Sequence, residues 1–150
     1  MTRDPQVLIE FRTGQVDVST ASELPSMGCG GECIFVGRTR PETHCRHGTL
    51  TALVYEYYEP LARTEIETIA QEMIDRFSIR AMRVTHSIGK VKINEASVVI
   101  AVSTDHRNEA FQACRYLIDN LKDRAPIWKR EEWETGATWV DGNTLIQTTA

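Results

Sequence analysis

Long hydrophobic runs are missing from this 150-residue sequence: Ser97-Val98-Val99-Ile100-Ala101-Val102, the longest apolar stretch, is far too short to span a bilayer. The opening Met1-Thr2-Arg3-Asp4-Pro5 lacks the apolar core of a secretory signal, so a cytoplasmic location is expected. No glycine-rich phosphate loop, serine triad or regular metal-ligand pattern is present, and Gly28-Cys29-Gly30-Gly31 fits neither nucleotide fingerprint. Those absences remove the common nucleotide-dependent, serine-hydrolase and zinc enzyme classes. Positive charge is not in excess either. A net charge of −4 argues against a general nucleic-acid or membrane binder, because those need a broad positive field. Four cysteines in a chain of this length read as reduced thiols rather than as a disulfide framework. Cys29, Cys33, His44, Cys45 and His47 are all possible zinc ligands. The cysteine pair stands where a strand begins and no second regular pair follows, so no metal site is expected. No repeat, heptad or Gly/Ser/Pro-rich linker divides the chain, and residues 1–150 are expected to form one domain.

What is present is an ordinary globular composition, 41% hydrophobic and 25% charged. Val7, Ile9 and Phe11 alternate with polar neighbours as in a half-buried strand, and residues 20–31 are small and polar, a loop. Cys33-Ile34-Phe35-Val36 reads as a buried strand leading into a mobile basic loop over residues 38–48. Leu50 to Tyr57 is β-branched and aromatic, and Pro60 suits the first turn of a helix reaching about Phe77. Ala62, Ile66, Ile69, Ala70, Met73, Ile74 and Phe77 form its apolar stripe. Met82, Val84, His86 and Ile88 alternate as a strand, followed by a turn near Lys92 to Glu95 and the continuous strand from Ser97 to Ser103. Thr104 or Asp105 can cap a second helix, with Ala110, Phe111, Cys114, Leu117, Ile118 and Leu121 on one stripe, and Pro126 forces its end near Arg124. Short strands are expected near Trp133, over 138–140 and over 144–147. The order implies an α+β sandwich with helices on one sheet face, centred on a split β-α-β core of ferredoxin-like type.

Lys122, Arg124, Lys129 and Arg130 crowd around the proline break. The helix dipole accounts for cations in a last turn, worth about 0.3–1 kcal/mol, but not for Lys129 and Arg130 beyond it. If the chain folds back there, the cations converge and imply an anionic visitor. A lysine in such a place can stabilise an oxyanion or, with a lowered pKa, act as base or nucleophile. Arg107 lies in the first turn of the second helix, where the dipole disfavours a cation; either a bound anion or a salt bridge to Glu109 or another carboxylate explains it. His106 beside it can donate to the same anion, titrate near neutrality or serve as a cap. Arg38, Arg40 and Arg46 make a second basic cluster suited to phosphate or carboxylate. His86 and Cys114 fall on apolar faces and read as core. Tyr55, Tyr57 and Tyr58 could shelf a flat ring, though such residues are usually packing.

Ser103-Thr104-Asp105-His106-Arg107, Tyr116-Leu117-Ile118-Asp119-Asn120-Leu121-Lys122 and Ala125-Pro126-Ile127-Trp128-Lys129-Arg130-Glu131 together resemble, in order and spacing, the large subunit of molybdopterin synthase. So do Phe35-Val36-Gly37-Arg38-Thr39-Arg40, Tyr55-Glu56-Tyr57, His86-Ser87-Ile88-Gly89 and Trp139, and the likeness covers roughly residues 28–140. The resemblance implies an α/β-hammerhead fold and a cofactor-free sulfurtransferase of molybdenum cofactor biosynthesis. It also implies a homodimer within a heterotetramer, flanked by two small ubiquitin-like subunits. Each small subunit ends in a Gly-Gly thiocarboxylate that enters a pocket of the large one. Two sulfurs pass successively to cyclic pyranopterin monophosphate to make the dithiolene. By position Lys122 and Lys129 match the family's catalytic lysines, and Arg40, His106 and Arg107 its anion-binding residues. Arg38 and Arg130, from the two basic clusters, join them as candidate substrate-binding residues. A scaffold that binds the tail without catalysis is the alternative. The Cys45-containing loop and the cysteines near residue 30 are less typical of the pattern.

Overall fold

The computed structural model describes residues 4–26, 28–141 and 144–146. In chain order it contains β1 (Gln6–Thr13), a 3-10 helix (Val18–Glu23), β2 (Gly31–Arg38), β3 (Thr43–His44), β4 (Gly48–Tyr57), α1 (Glu59–Phe77), β5 (Ala81–Lys92) and β6 (Ala96–Thr104). α2 (Arg107–Arg124), β7 (Ile127–Trp133), β8 (Gly136–Asp141) and β9 (Thr144–Ile146) complete the described chain. The class is α+β. The strands follow the order β2-β6-β5-β4-β7-β8-β9, with β1 added beside β5 and β3 beside β4.

β5 organises the sheet because it changes neighbours along its length. Residues 81–88 pair in parallel with β1, residues 81–86 pair antiparallel with β6, and residues 89–92 pair with β4. The exchange of β1 for β4 falls at Gly89, whose φ of +107° only glycine adopts freely, and a Cβ there would meet Thr13 Cγ2 at 3.3 Å. In the β-α-β unit at the centre, β1 and β5 are direct neighbours, with α1 in the connection between them.

Both faces of this part of the sheet are covered, so β6 reads as a continuous apolar run and all nine of its residues are buried. On one face Met82, Val84, Val98, Ile100 and Val102 pack against Ile66, Ile69 and Met73 of α1 and Ala113, Leu117 and Leu121 of α2. Burying each of the large side chains contributes about 1.5–3 kcal/mol. On the other face Ala81, Val99 and Ala101 lie under Val16, Ala21 and Leu24, the last two from the 3-10 segment and its cap. The polar stretch expected to be a simple loop is therefore a strap over the sheet.

Pro60 opens α1, and Ser78 closes it in the left-handed region at φ 51°, its N–H donating to Ile74 O at 3.1 Å. The cap of α2 differs from expectation. His106 holds the N-cap position without a side-chain cap bond, because Asp105 is committed to a bidentate pair with Arg80, both contacts at 3.0 Å. Thr104 Oγ1 donates to His106 O instead. At the other end Ala125 is extended before Pro126, as expected, and the chain turns straight into β7. Among the described residues no helix is long and apolar enough to cross a membrane.

Candidate functional site

The return of the chain at Pro126 creates the site. β7 pairs antiparallel with β4, setting Lys129 opposite Tyr55 and Glu131 opposite Leu53. Side chains alternate along a strand, so Ile127, Lys129 and Glu131 face one way and Trp128, Arg130 and Glu132 the other. The first set borders a cavity of about 520 Å³, within the size range of small-ligand pockets. The last turn of α2 closes one side with Leu121 and Lys122. Tyr55, His86 and Ser97 come from the sheet, and Arg38, Thr39, Arg40 and Glu42 from the end of β2 and the loop after it.

Four cations and two carboxylates line this space. Arg38 donates to Asn94 O at 3.0 Å, and Arg40, whose side chain is 83% exposed at the mouth, pairs with Glu42 at 3.1 Å. Glu131 accepts from Thr138 Oγ1 at 2.9 Å, and Thr138 in turn accepts from Trp133 Nε1 at 3.0 Å. Lys122 and Lys129 differ from all of these. Among the described residues neither has an ion-pair or hydrogen-bond partner, whereas Lys90, Arg124 and Arg130 each hold a carboxylate within 3.2 Å. Two uncompensated ammonium groups in one cavity favour an anionic ligand there.

The uncharged side of the cavity is built from buried polar groups. His86 is 8% exposed, with Nδ1 2.7 Å from Ser87 O and its ring edge-on to Tyr55 at 5.1 Å between centroids. Burial pulls its pKa down to about 4, so the imidazole is neutral at physiological pH. Burial likewise raises the Tyr55 phenol above its ordinary value. Thr39 is buried and tied through its backbone to the β5–β6 turn, accepting from Asn94 N at 2.7 Å and donating to Glu95 O at 3.1 Å. The basic loop is thus anchored at its start, and β3 pairs its far end with β4, in contrast to the mobile connection expected.

The structure brings together Lys122, Lys129, Arg38 and Arg40. It does not bring Arg130 to them. Arg130 lies on the outer face of β7, 3.2 Å from Glu132 and over the Trp139 ring at 5.6 Å, because a one-residue step along a strand reverses the side chain. Arg124 turns away as well, bonding Glu65 at 2.8 Å and Glu72 at 2.7 Å on α1. His106 and Arg107 are exposed at the opposite end of α2 from Lys122, about 22 Å away at 1.5 Å per residue. Among the described residues Arg107 makes no salt bridge to Glu109 or to another carboxylate, so a surface ion pair does not explain its position. The four cysteines are free thiols, and burial together with neighbouring Cys33 pushes Cys114 up to about 12. The sequence did not single out Glu131 as a cavity residue, although its two-residue step from Lys129 marks the same strand face, whereas His86 is the buried, hydrogen-bonded histidine that was expected and also lines the cavity.

The MoaE protein family matches residues 10–124 of the chain. The chain belongs to the MoaE family. Curated relatives include the molybdopterin synthase catalytic subunit of Pyrococcus abyssi, 39% identical over 120 residues that make up 80% of each chain. The human protein of the same name is 36% identical over 133 residues, 88% of this chain and 70% of that one. In shape the chain resembles the crystal structure of molybdopterin synthase from Staphylococcus aureus, with a TM-score of 0.80, 29% identity and coverage of 88% and 96%. A fold likeness extends to the complex of subunits 1 and 2 of molybdopterin-converting factor from Helicobacter pylori, at a TM-score of 0.71 and 22% identity over 91% and 92% of the chains. MoaE membership makes this chain an enzyme subunit of the molybdopterin synthase class, and the α+β architecture is that of the family.

Proposed function

We propose that this cavity is where sulfur passes from the C-terminal thiocarboxylate of a small ubiquitin-like subunit to cyclic pyranopterin monophosphate, forming the dithiolene of molybdopterin. One observation carries the reading: Lys122 and Lys129, from elements on either side of the Pro126 break, present unpaired ammonium groups to a single cavity. Both reactants bring negative charge, which the cations of the cavity wall attract. An ammonium beside the acyl carbon stabilises the oxyanion that develops there, and a deprotonated lysine would serve as base or nucleophile. Arg40, exposed at the mouth, and Arg38 suit the substrate phosphate or the tail carboxyl group. A terminal Gly-Gly suits the cavity because a tail without side chains needs the least width.

His106 and Arg107 cannot reach the same ligand within one chain, since most of α2 lies between them and Lys122. In the proposed homodimer, flanked by two small subunits, they act at the other copy's cavity. The chain works as one domain within that assembly. The deciding experiment is single-turnover molybdopterin formation with a thiocarboxylated small subunit and the pterin precursor. Lys122→Ala and Lys129→Ala should each slow it by about 10²–10³, as loss of an oxyanion donor does, with circular dichroism unchanged. Arginine substitutions should rescue if only positive charge is needed and fail if a proton moves. Wild-type rates in both folded alanine variants would leave a tail-binding scaffold as the better reading.

A further inference from the structure

Within the cavity, every charged side chain except the two lysines is held by a bond to the protein. Lys129 needs no such bond to be aimed, because its strand is paired on both sides, with β4 and with β8. Lys122 is different. It stands in the last turn of a helix on a flexible four-carbon stem.

His86, a buried polar group on the sheet, lines the same cavity as Lys122 and feels its charge. A carbonyl can only accept, so the 2.7 Å contact with Ser87 O puts the imidazole proton on Nδ1 and leaves Nε2 as a bare acceptor. Among the described residues Nε2 has no hydrogen-bond partner, and the ring lines the same cavity as Lys122. Tyr55 packs edge-on against the ring and restricts its rotation. Burial keeps this histidine neutral, and the positive charge of Lys122 acts in the same direction. The other charged or titratable groups lining the space are Tyr55 on β4, Lys129 and Glu131 on β7, Arg38 on β2, and Arg40 and Glu42 on the loop after it.

On the reading of the cavity given above, we infer that His86 is the positioning residue for Lys122: the two are unbonded in the free chain, and with the anionic tail in the cavity Nε2 accepts a hydrogen bond from the ε-ammonium and aims it at the reacting carboxyl group. A carboxylate in that place would hold the lysine more tightly, but it would cancel the charge and repel the anionic tail. A neutral imidazole directs the ammonium and leaves its charge available to the ligand.

The test uses the full chain with the thiocarboxylated small subunit and cyclic pyranopterin monophosphate under single-turnover conditions. His86→Leu should slow sulfur transfer roughly 10- to 100-fold, the scale of a misplaced catalytic group, with small-subunit affinity unchanged. His86→Gln, whose amide oxygen reaches the place of Nε2, should recover most of the rate. His86→Asn, one methylene shorter, should not. In a Lys122→Ala background His86→Leu should cost nothing further, because its effect passes through that lysine. Equal rates for the Gln and Asn variants overturn the inference even if the Leu variant is too unstable to assay. So does a full additional loss in the Lys122→Ala background. A wild-type rate for Lys122→Ala alone would instead sink the reading of the cavity on which the inference rests.

Discussion

Lys122 and Arg124 stand two residues apart in the last turn of α2, yet they belong to different regions, the cavity and the clamp between the helices. Arg124 bonds Glu65 and Glu72 on α1 and Asn120 on its own helix. Tyr116 also donates to Glu72, at 2.6 Å, so the clamp leaves little charge unanswered. Lys122 enters the cavity with no such partner. The contrast repeats in β7, where Lys129 faces the cavity and the next residue, Arg130, is paired with Glu132 on the outer face. Local density of positive charge therefore does not mark this site. Positive charge with no carboxylate bonded to it, lining a cavity, does.

The sharpest way to break the comparison is to exchange effects across β7. Lys129→Ala should cost about 10²–10³ in turnover, whereas Arg130→Ala should change it by less than about threefold, with both variants folded. A large loss from Arg130→Ala measured in the same assay would mean that the outer face also meets substrate. Across α2 the expected contrast is between activity and stability. Arg124→Ala should lower the melting temperature more than Lys122→Ala does, because it leaves Glu65 and Glu72 without their cation. Thermal unfolding of the two variants side by side checks this, and a more damaging Lys122→Ala would contradict it.

Two smaller effects appear as pH dependence. Hydrogen bonds from Arg124 and Tyr116 pull Glu72 from 4.5 down to about 2. A carboxylate with a depressed folded-state pKa contributes stability above its unfolded value and loses it as pH falls, here between about 4.5 and about 2. Glu72→Gln should flatten the acid limb of a denaturant-stability profile in that window, and an unchanged slope would contradict the clamp. His86 is also depressed, from 6.5 to about 4, so the folded chain resists a proton that the unfolded chain accepts. Its contribution is complete above 6.5 and declines as pH falls toward about 4, and His86→Gln should remove that part of the slope.

The helices were readable because their signals are local. Pro60 and Pro126 bound them through backbone geometry, and the stripes of Ile66, Ile69 and Met73 and of Leu117, Ile118 and Leu121 repeat at helical spacing. The cap of α2 was not readable, because Asp105 is drawn away by Arg80, a residue far off in sequence. The continuous burial of β5 over residues 81–87 was hidden too. Arg83, Thr85 and Ser87 alternate like a solvent face, but the 3-10 strap covers that side of the sheet.

At the site, residue types and order marked Lys122, Arg124, Lys129 and Arg130 around the proline break and Arg38, Arg40 and Arg46 in the loop after β2 as candidates for a cationic set, since proline breaks and basic clusters are properties of the chain itself. Which of the neighbouring cations belonged to that set was decided by tertiary structure. Within one chain Arg130 is excluded by the pleat of β7 against β4, Arg124 by carboxylates on another helix, and His106 and Arg107 by the length of α2. The same folding brought His86 to the cavity, where no local pattern had pointed. A pairing partner or an enclosing wall comes from residues distant in sequence, and only the packed chain shows which charge has been answered.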